Sequence, residues 1–239
     1  MSSTEIGIKP GTSDKQNAEV KFSEKLNDFM HKNRKLFMAI GITALALVVI
    51  LGVTSVITSG IARKSTIALE KLEMEYSKWY EAEDSEKTSL STAVIEMAAN
   101  VAKTYGKRYA AARATMIKAE VLYASKDLKG AEAGFSDVAT SFPKLHLAPV
   151  ALANAATVAE DQGDTESALN YLLQAESKYP GFPGSGRVSL SIGRIYESTK
   201  QYGKAMETYS RLLSTGVESD WTKIAQDRII LLKSQGVAE

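Results

Sequence analysis

Residues 193–213 read GRIYESTKQYGKAMETYSRLL. Gly193 and Tyr196 precede the polar stretch TKQYGK, which contains Tyr202, and Ala205, Tyr209 and Leu212 continue from Tyr202 at three- and four-residue steps, the period of one helix face. A turn this short forces two helices into antiparallel contact, and the small residue at 193 lets them approach closely.

The same register recurs 37 residues earlier and 37 before that. Ala131, Ala168 and Ala205 mark it; four residues on stand Phe135, Leu172 and Tyr209, and three beyond those Val138, Ala175 and Leu212. Twelve residues before each marker lie Ala119, Ala156 and Gly193, and three before lie Leu128, Thr165 and Tyr202. The turns are SKDLKG, DQGDTE and TKQYGK. The second helices of the first two units end in SFPKL and KYPGF, where Pro143 and Pro180 stop the helix; the third ends at STGVES, without a proline.

Over residues 112–219 this pattern resembles the tetratricopeptide repeat, best at Gly193, Tyr196, Tyr202, Ala205 and Tyr209. The resemblance implies an all-α solenoid of helical hairpins. It departs from the family in its period, where about 34 is usual, in lacking the first-helix tryptophan, and at Thr165, where an aromatic is usual. A weaker unit precedes: Val94, Ala98 and Val101 fall on a second helix ending at Tyr105 and Gly106. Residues 219–235, SDWTKIAQDRIILLKSQ, form a capped amphipathic helix offering Trp221, Ile224, Ile229, Leu231 and Leu232, as a terminal repeat requires.

Leu36 to Ile57 reads LFMAIGITALALVVILGVTSVI, 22 residues without a charge. As a helix it spans about 33 Å, the thickness of a bilayer's hydrocarbon. Its 35-residue polar leader and its length favour an uncleaved anchor over a signal peptide, whose core is about 7 to 15 residues. Lys21, Lys25, Lys32, Arg34 and Lys35 precede the span, and Arg63, Lys64 and Lys71 follow it, which puts the N-terminus in the cytoplasm. Small residues four apart, Ala39 with Thr43 and Ser55 with Ser59, form a pattern that can mediate a homodimer.

Residues 1–18 are polar with no apolar period, the composition of a flexible tail. Val20, Phe22, Leu26, Phe29 and Met30 recur among lysines as in a short amphipathic helix, either lying on the cytoplasmic leaflet or extending the span. Residues 61–84 continue as a stalk with a stripe of Ala68, Leu72, Tyr76 and Trp79, stopping at the acidic cluster EAEDSEK, where Asp84 or Ser85 can cap the next helix. The chain thus divides into a cytoplasmic tail with a short amphipathic helix (1–35), a transmembrane helix (36–59), a stalk helix with a degenerate first hairpin (60–111), three hairpins (112–219) and a capping helix (220–239).

The 29 basic and 28 acidic residues lack the one-sided excess of a nucleic-acid binder. With no cysteine and only His31 and His146, metal and thiolate chemistry lack ligands, and no catalytic spacing appears. PGFPGSGR, Pro180 to Arg187, lacks the lysine, spacing and preceding strand of a phosphate loop and reads as a link between hairpins. No enzyme activity and no cofactor are expected. The groove lined by first helices is expected to bind other proteins, by family register through Arg113, Met116, Glu120 and Tyr123, then Ala153, Thr157 and Glu160, then Arg187, Leu190, Arg194 and Glu197.

Tail, single span and small degenerate array together resemble the bacterial membrane-tethered tetratricopeptide proteins typified by the ancillary subunit of the protein-export translocon. That resemblance implies an inner-membrane protein with a periplasmic repeat domain whose partners are the translocon, chaperones, exported clients or subunits of an envelope complex. Two other readings stay open: a ligand- or lipid-binding envelope receptor, which requires a closed apolar cavity, and a regulatory subunit of an envelope enzyme.

Overall fold

The computed structural model describes residues 13–237, with side chains from Lys21. The expected tail lies outside them through residue 12, as does the side chain of Val20. Every regular element among the described residues is a helix, and the chain forms two compact units, residues 1–60 and 61–239.

In the first unit α1 (Ser13–Lys32) takes in residues 13–18, which composition had assigned to the tail. It is separated from α2 (Arg34–Glu81) by Asn33 alone. The Asn33 backbone N–H and side-chain Nδ2 both donate to the Phe29 carbonyl, at 3.1 and 2.9 Å, while Leu36 and Phe37 donate to the Asn33 carbonyl. From Arg34 to Lys64 every residue is exposed, so no other described residue of the chain buries the uncharged segment. Within it the hydroxyls of Thr43, Thr54 and Thr58 return hydrogen bonds to the carbonyls of Ala39, Ile50 and Thr54, at 2.9, 2.6 and 2.7 Å. These polar groups are satisfied without water or a neighbour.

The second unit opens where the last turns of α2 bury Leu69, Leu72 and Trp79 with Val94, Ala98 and Val101 of α3 (Asp84–Tyr105). The Trp79 indole N–H donates to Ser91 Oγ at 2.9 Å. Neither Asp84 nor Ser85 caps α3. Glu83 is the N-cap and its side chain makes no cap bond; Asp84 is already inside the first turn, where it pairs with Lys87 at 3.6 Å. Its position beside the cluster's other acids serves the helix dipole rather than a capping geometry.

Three hairpins follow: α4 (Tyr109–Ala124) with α5 (Leu128–Ser141), α6 (Leu147–Asp161) with α7 (Thr165–Lys178), and α8 (Ser185–Ser198) with α9 (Tyr202–Leu213). The first starts at Tyr109, three residues ahead of residue 112, because Arg108 is extended (ψ 160°) and ends the preceding link. All three turns share one geometry. Lys126, Gly163 and Lys200 adopt φ of 66°, 80° and 59°, and the next N–H in each bonds back to Leu122, Ala159 or Tyr196 at 2.9, 2.9 and 2.8 Å. Asp127 and Asp164 then cap α5 and α7 by accepting from the N–H of Gly130 and Ser167; Gln201, at the third turn, makes no side-chain cap. At the other end Phe142 (φ −130°, ψ 50°) and Tyr179 (φ −132°, ψ 60°) leave the helical region ahead of Pro143 and Pro180, as proline demands of the residue before it.

The register residues form the core. Ala131, Ala168, Ala205, Val138 and Ala175 are wholly inaccessible, and Phe135, Leu172 and Leu212 nearly so. α4 faces two clusters at once: Ala112, Met116 and Ala119 join the core of the first two hairpins, while Ala110, Ala114, Ile117 and Val121 pack toward α2 and α3. α8 does likewise, with Val188, Ile192 and Ile195 on the first core and Leu190 against the cluster of α9 and α10. α10 (Asp220–Ser234) closes the array behind a capping box of Ser219 and Thr222, burying Ala225 and Leu232.

Candidate functional site

The residues expected to line a groove are, for the most part, used to join one first helix to the next. Arg113 on α4 pairs with Glu73 on α2 at 3.3 Å and with Glu120 at 3.4 Å, and its guanidinium lies 5.8 Å from the centre of the Tyr76 ring. Burial first, and the nearby Glu120 carboxylate next, push the Tyr76 phenol well above its usual range. Tyr123 on α4 donates to Asp161 on α6 at 2.5 Å, which also holds this phenol protonated. Glu160 on α6 takes both bonds from Arg194 on α8 at 2.7 Å. Glu197 on α8 takes Arg228 on α10 in a two-point contact and accepts from the Tyr209 hydroxyl at 3.1 Å. Four links in succession thus run α2, α4, α6, α8, α10.

Three of the expected groove residues therefore need correction. Met116, at 2% exposure, and Ala153, also 2%, are core residues, since their side of the helix faces the neighbouring helices rather than solvent. Glu197 is spent on α9 and α10, its side chain only 14% exposed. Leu190 is partly buried against the α9–α10 cluster, and Thr157 bonds the Ala153 carbonyl of its own helix. Arg113, Glu120, Tyr123, Glu160 and Arg194 reach the surface but are paired. Arg187 alone of the expected charged residues is paired with no carboxylate among the described residues.

The second helices carry a parallel set of links. Glu132 on α5 accepts from Gln162 at 2.6 Å and from Tyr171 on α7 at 3.0 Å, and Glu176 on α7 takes Arg211 on α9 at 3.1 Å and Ser189 on α8 at 2.8 Å. The depression beside them, lined by Lys129, Ser136, Asp137 and Tyr171 among others, is shallow and open to solvent, unlike a closed apolar cavity for a small ligand.

Sequence reasoning assigned Ile224 and Leu231 to the capping helix but missed that they, with Val150, belong to the face carrying Arg113 and Glu120. Advancing 37 residues from Arg113 gives Val150, Arg187 and Ile224; advancing from Glu120 gives Thr157, Arg194 and Leu231. Val150, Ile224 and Leu231 are exposed. The signal was the repeat itself, carried one step past the last hairpin into the capping helix.

A family profile described as a tetratricopeptide repeat-like domain matches residues 29–233. No curated protein matches the chain. Among solved structures, the nearly identical TPR-like repeats of a putative kinesin light chain from Podosopora anserina give a TM-score of 0.53 at 12% identity, covering 70% of this chain and 88% of that one. A single-substitution variant of the same repeats gives 0.53 at 11% identity over the same shares. At this identity the likeness speaks for the fold alone. The profile takes in the uncharged segment, the three hairpins and most of the closing helix, and the chain belongs to the tetratricopeptide repeat-like domain family.

Proposed function

We propose that this chain is a membrane-tethered scaffold whose hairpins bind other proteins in the cell envelope. Repeats of this class mediate protein–protein interaction. The observation that carries the tether is the stretch from Leu36 to Ile57: helical, uncharged, exposed throughout, and with its threonine hydroxyls satisfied on its own carbonyls, which suits a medium without hydrogen-bonding partners. The basic bias on its N-terminal side, five against three, supports an N-terminus in the cytoplasm and hairpins on the far side, periplasmic in a bacterial inner membrane. The translocon, periplasmic chaperones and exported clients are the partners this architecture suggests, by analogy of layout.

The absence of cysteine makes the topology directly testable. Glu218→Cys introduces a thiol at an exposed loop residue and spares the capping box at Ser219. An impermeant maleimide added outside intact inner-membrane vesicles of known orientation labels it on one side only. Labelling on the cytoplasmic face reverses the orientation, and extraction of the chain by alkaline carbonate removes the tether. Crosslinking in native membranes with identification of the adducts tests the scaffold role, which fails if no protein adduct forms.

A further inference from the structure

The face that first helices present to a groove changes character along the array. On α4 its row positions are Arg113 and Glu120, closed by each other and by Glu73. On α8 they are Arg187 and Arg194, and Arg194 is held by Glu160. On α10 they are Ile224 and Leu231, 42% and 38% exposed, with Trp221, 39% exposed, one turn before. The outer side of this strip is open to solvent. Trp221 is seated on α8 at Gly186, where a Cβ would stand 3.3 Å from the indole Cδ1, so the strip abuts the residue that precedes Arg187.

Arg187 is the exception among the arginines of α4 to α10. Arg113, Arg194, Arg211 and Arg228 each hold a glutamate; Arg187, half-buried on α8, holds none among the described residues. A guanidinium without its carboxylate, on the helix against which Trp221 is seated and at the row position one repeat before Ile224, combines with the exposed tryptophan and two aliphatic side chains of α10 into the composition of an interface hot spot. Helical spacing places Asp227 on the opposite edge of the strip, beyond Leu231. An acidic group is therefore repelled from that edge and drawn to the α8 edge, which fixes the direction of approach.

We infer that Arg187 with Trp221, Ile224 and Leu231 forms a docking site at the C-terminal end of the array for a segment of a partner protein that presents a carboxylate to Arg187 and apolar side chains to α10. This rests on the scaffold reading and names the part of the surface that serves it.

The test pans a phage-displayed library of random dodecapeptides on the detergent-solubilised full chain, with the Arg187→Glu chain as counter-target. Enriched sequences are expected to hold Asp or Glu within about four residues of Leu, Ile, Phe or Trp, one helical turn or a short extended stretch. A synthetic representative is expected to lose about tenfold or more in affinity on Arg187→Glu and on Ile224→Lys with Leu231→Lys. It should lose less than about twofold on Val217→Lys, an exposed apolar site away from the strip. Replacing the peptide's acid by lysine is expected to restore binding to the Arg187→Glu chain. If the double lysine variant loses helicity, Arg187→Glu with its charge-reversed peptide carries the test alone. No enrichment, enrichment without an acid, or binding indifferent to Arg187→Glu overturns the site. The scaffold reading survives those outcomes if native-membrane crosslinks from other surfaces still capture protein.

Discussion

The ring of Tyr209 occupies the space that a Cβ on Gly193 would need. Tyr209 is wholly buried, and its hydroxyl reaches Glu197. In the other two hairpins the equivalent pairs are Ala119 with Phe135 and Ala156 with Leu172, so the largest side chain stands opposite the one glycine. Gly193→Ala should therefore destabilise the chain by about 1–3 kcal/mol through overpacking, even though alanine favours the helix by about 1 kcal/mol. Combining it with Tyr209→Leu should cost less than the sum of the single changes. Denaturant unfolding of the four chains of this cycle measures the coupling, and additive losses would contradict the overlap.

Lys126 and Lys200 hold left-handed backbone at the position where the second hairpin has Gly163. A side chain there is strained and glycine is not. Lys126→Gly and Lys200→Gly are each expected to stabilise by about 0.5–1 kcal/mol, additively because they lie in separate turns. Gly163→Ala should lose a similar amount. A fall in denaturation midpoint on Lys126→Gly would refute the turn geometry.

Glu197 links α8 to α10 in the run of polar pairs and is also the acceptor for Tyr209. Glu197→Gln keeps an acceptor for the phenol but removes the charge that Arg228 requires. The expected loss is about 1–2 kcal/mol, concentrated in α10. Hydrogen exchange should show α10 amides losing protection while those of α6 and α7 do not change.

Burial first, and the carboxylates of Glu120 and Glu197 next, push the phenols of Tyr76 and Tyr209 well above the usual value of about 10. The folded state keeps these protons while the unfolded chain releases them, so the unfolded chain binds fewer protons above pH 10. The stability that these two phenols contribute should be constant below pH 10 and be lost as pH rises beyond it. Ultraviolet titration of tyrosinate should show Tyr76 and Tyr209 ionising only together with loss of helical signal; their early, reversible ionisation would contradict the burial.

The repeat could be read from sequence because its core is built from small residues that only close helix packing explains: Ala131, Ala168 and Ala205 are all fully buried. The stops were equally clear, since proline imposes its backbone on Phe142 and Tyr179. The groove was less legible. Register assigns a residue to a face, but it does not say whether a residue about one repeat away, such as Asp161 for Tyr123 or Glu160 for Arg194, will claim its polar group. Met116 and Ala153 failed for a related reason: α4 and α6 are contacted on more sides than a two-helix hairpin implies. The N-cap of α3 was misplaced because a run of acids offers several residues of nearly equal capping ability.

α4 and α8 each contribute side chains to two clusters, so no cluster can melt without stripping one flank of a helix that another cluster still holds. Unzipping from the C-terminus would release α10 and α9 as one piece and halt at α8, whose Val188, Ile192 and Ile195 remain anchored in the hairpins before it. A pull on the closing helix would thus be absorbed in a single discrete step, with the first two hairpins left intact behind it.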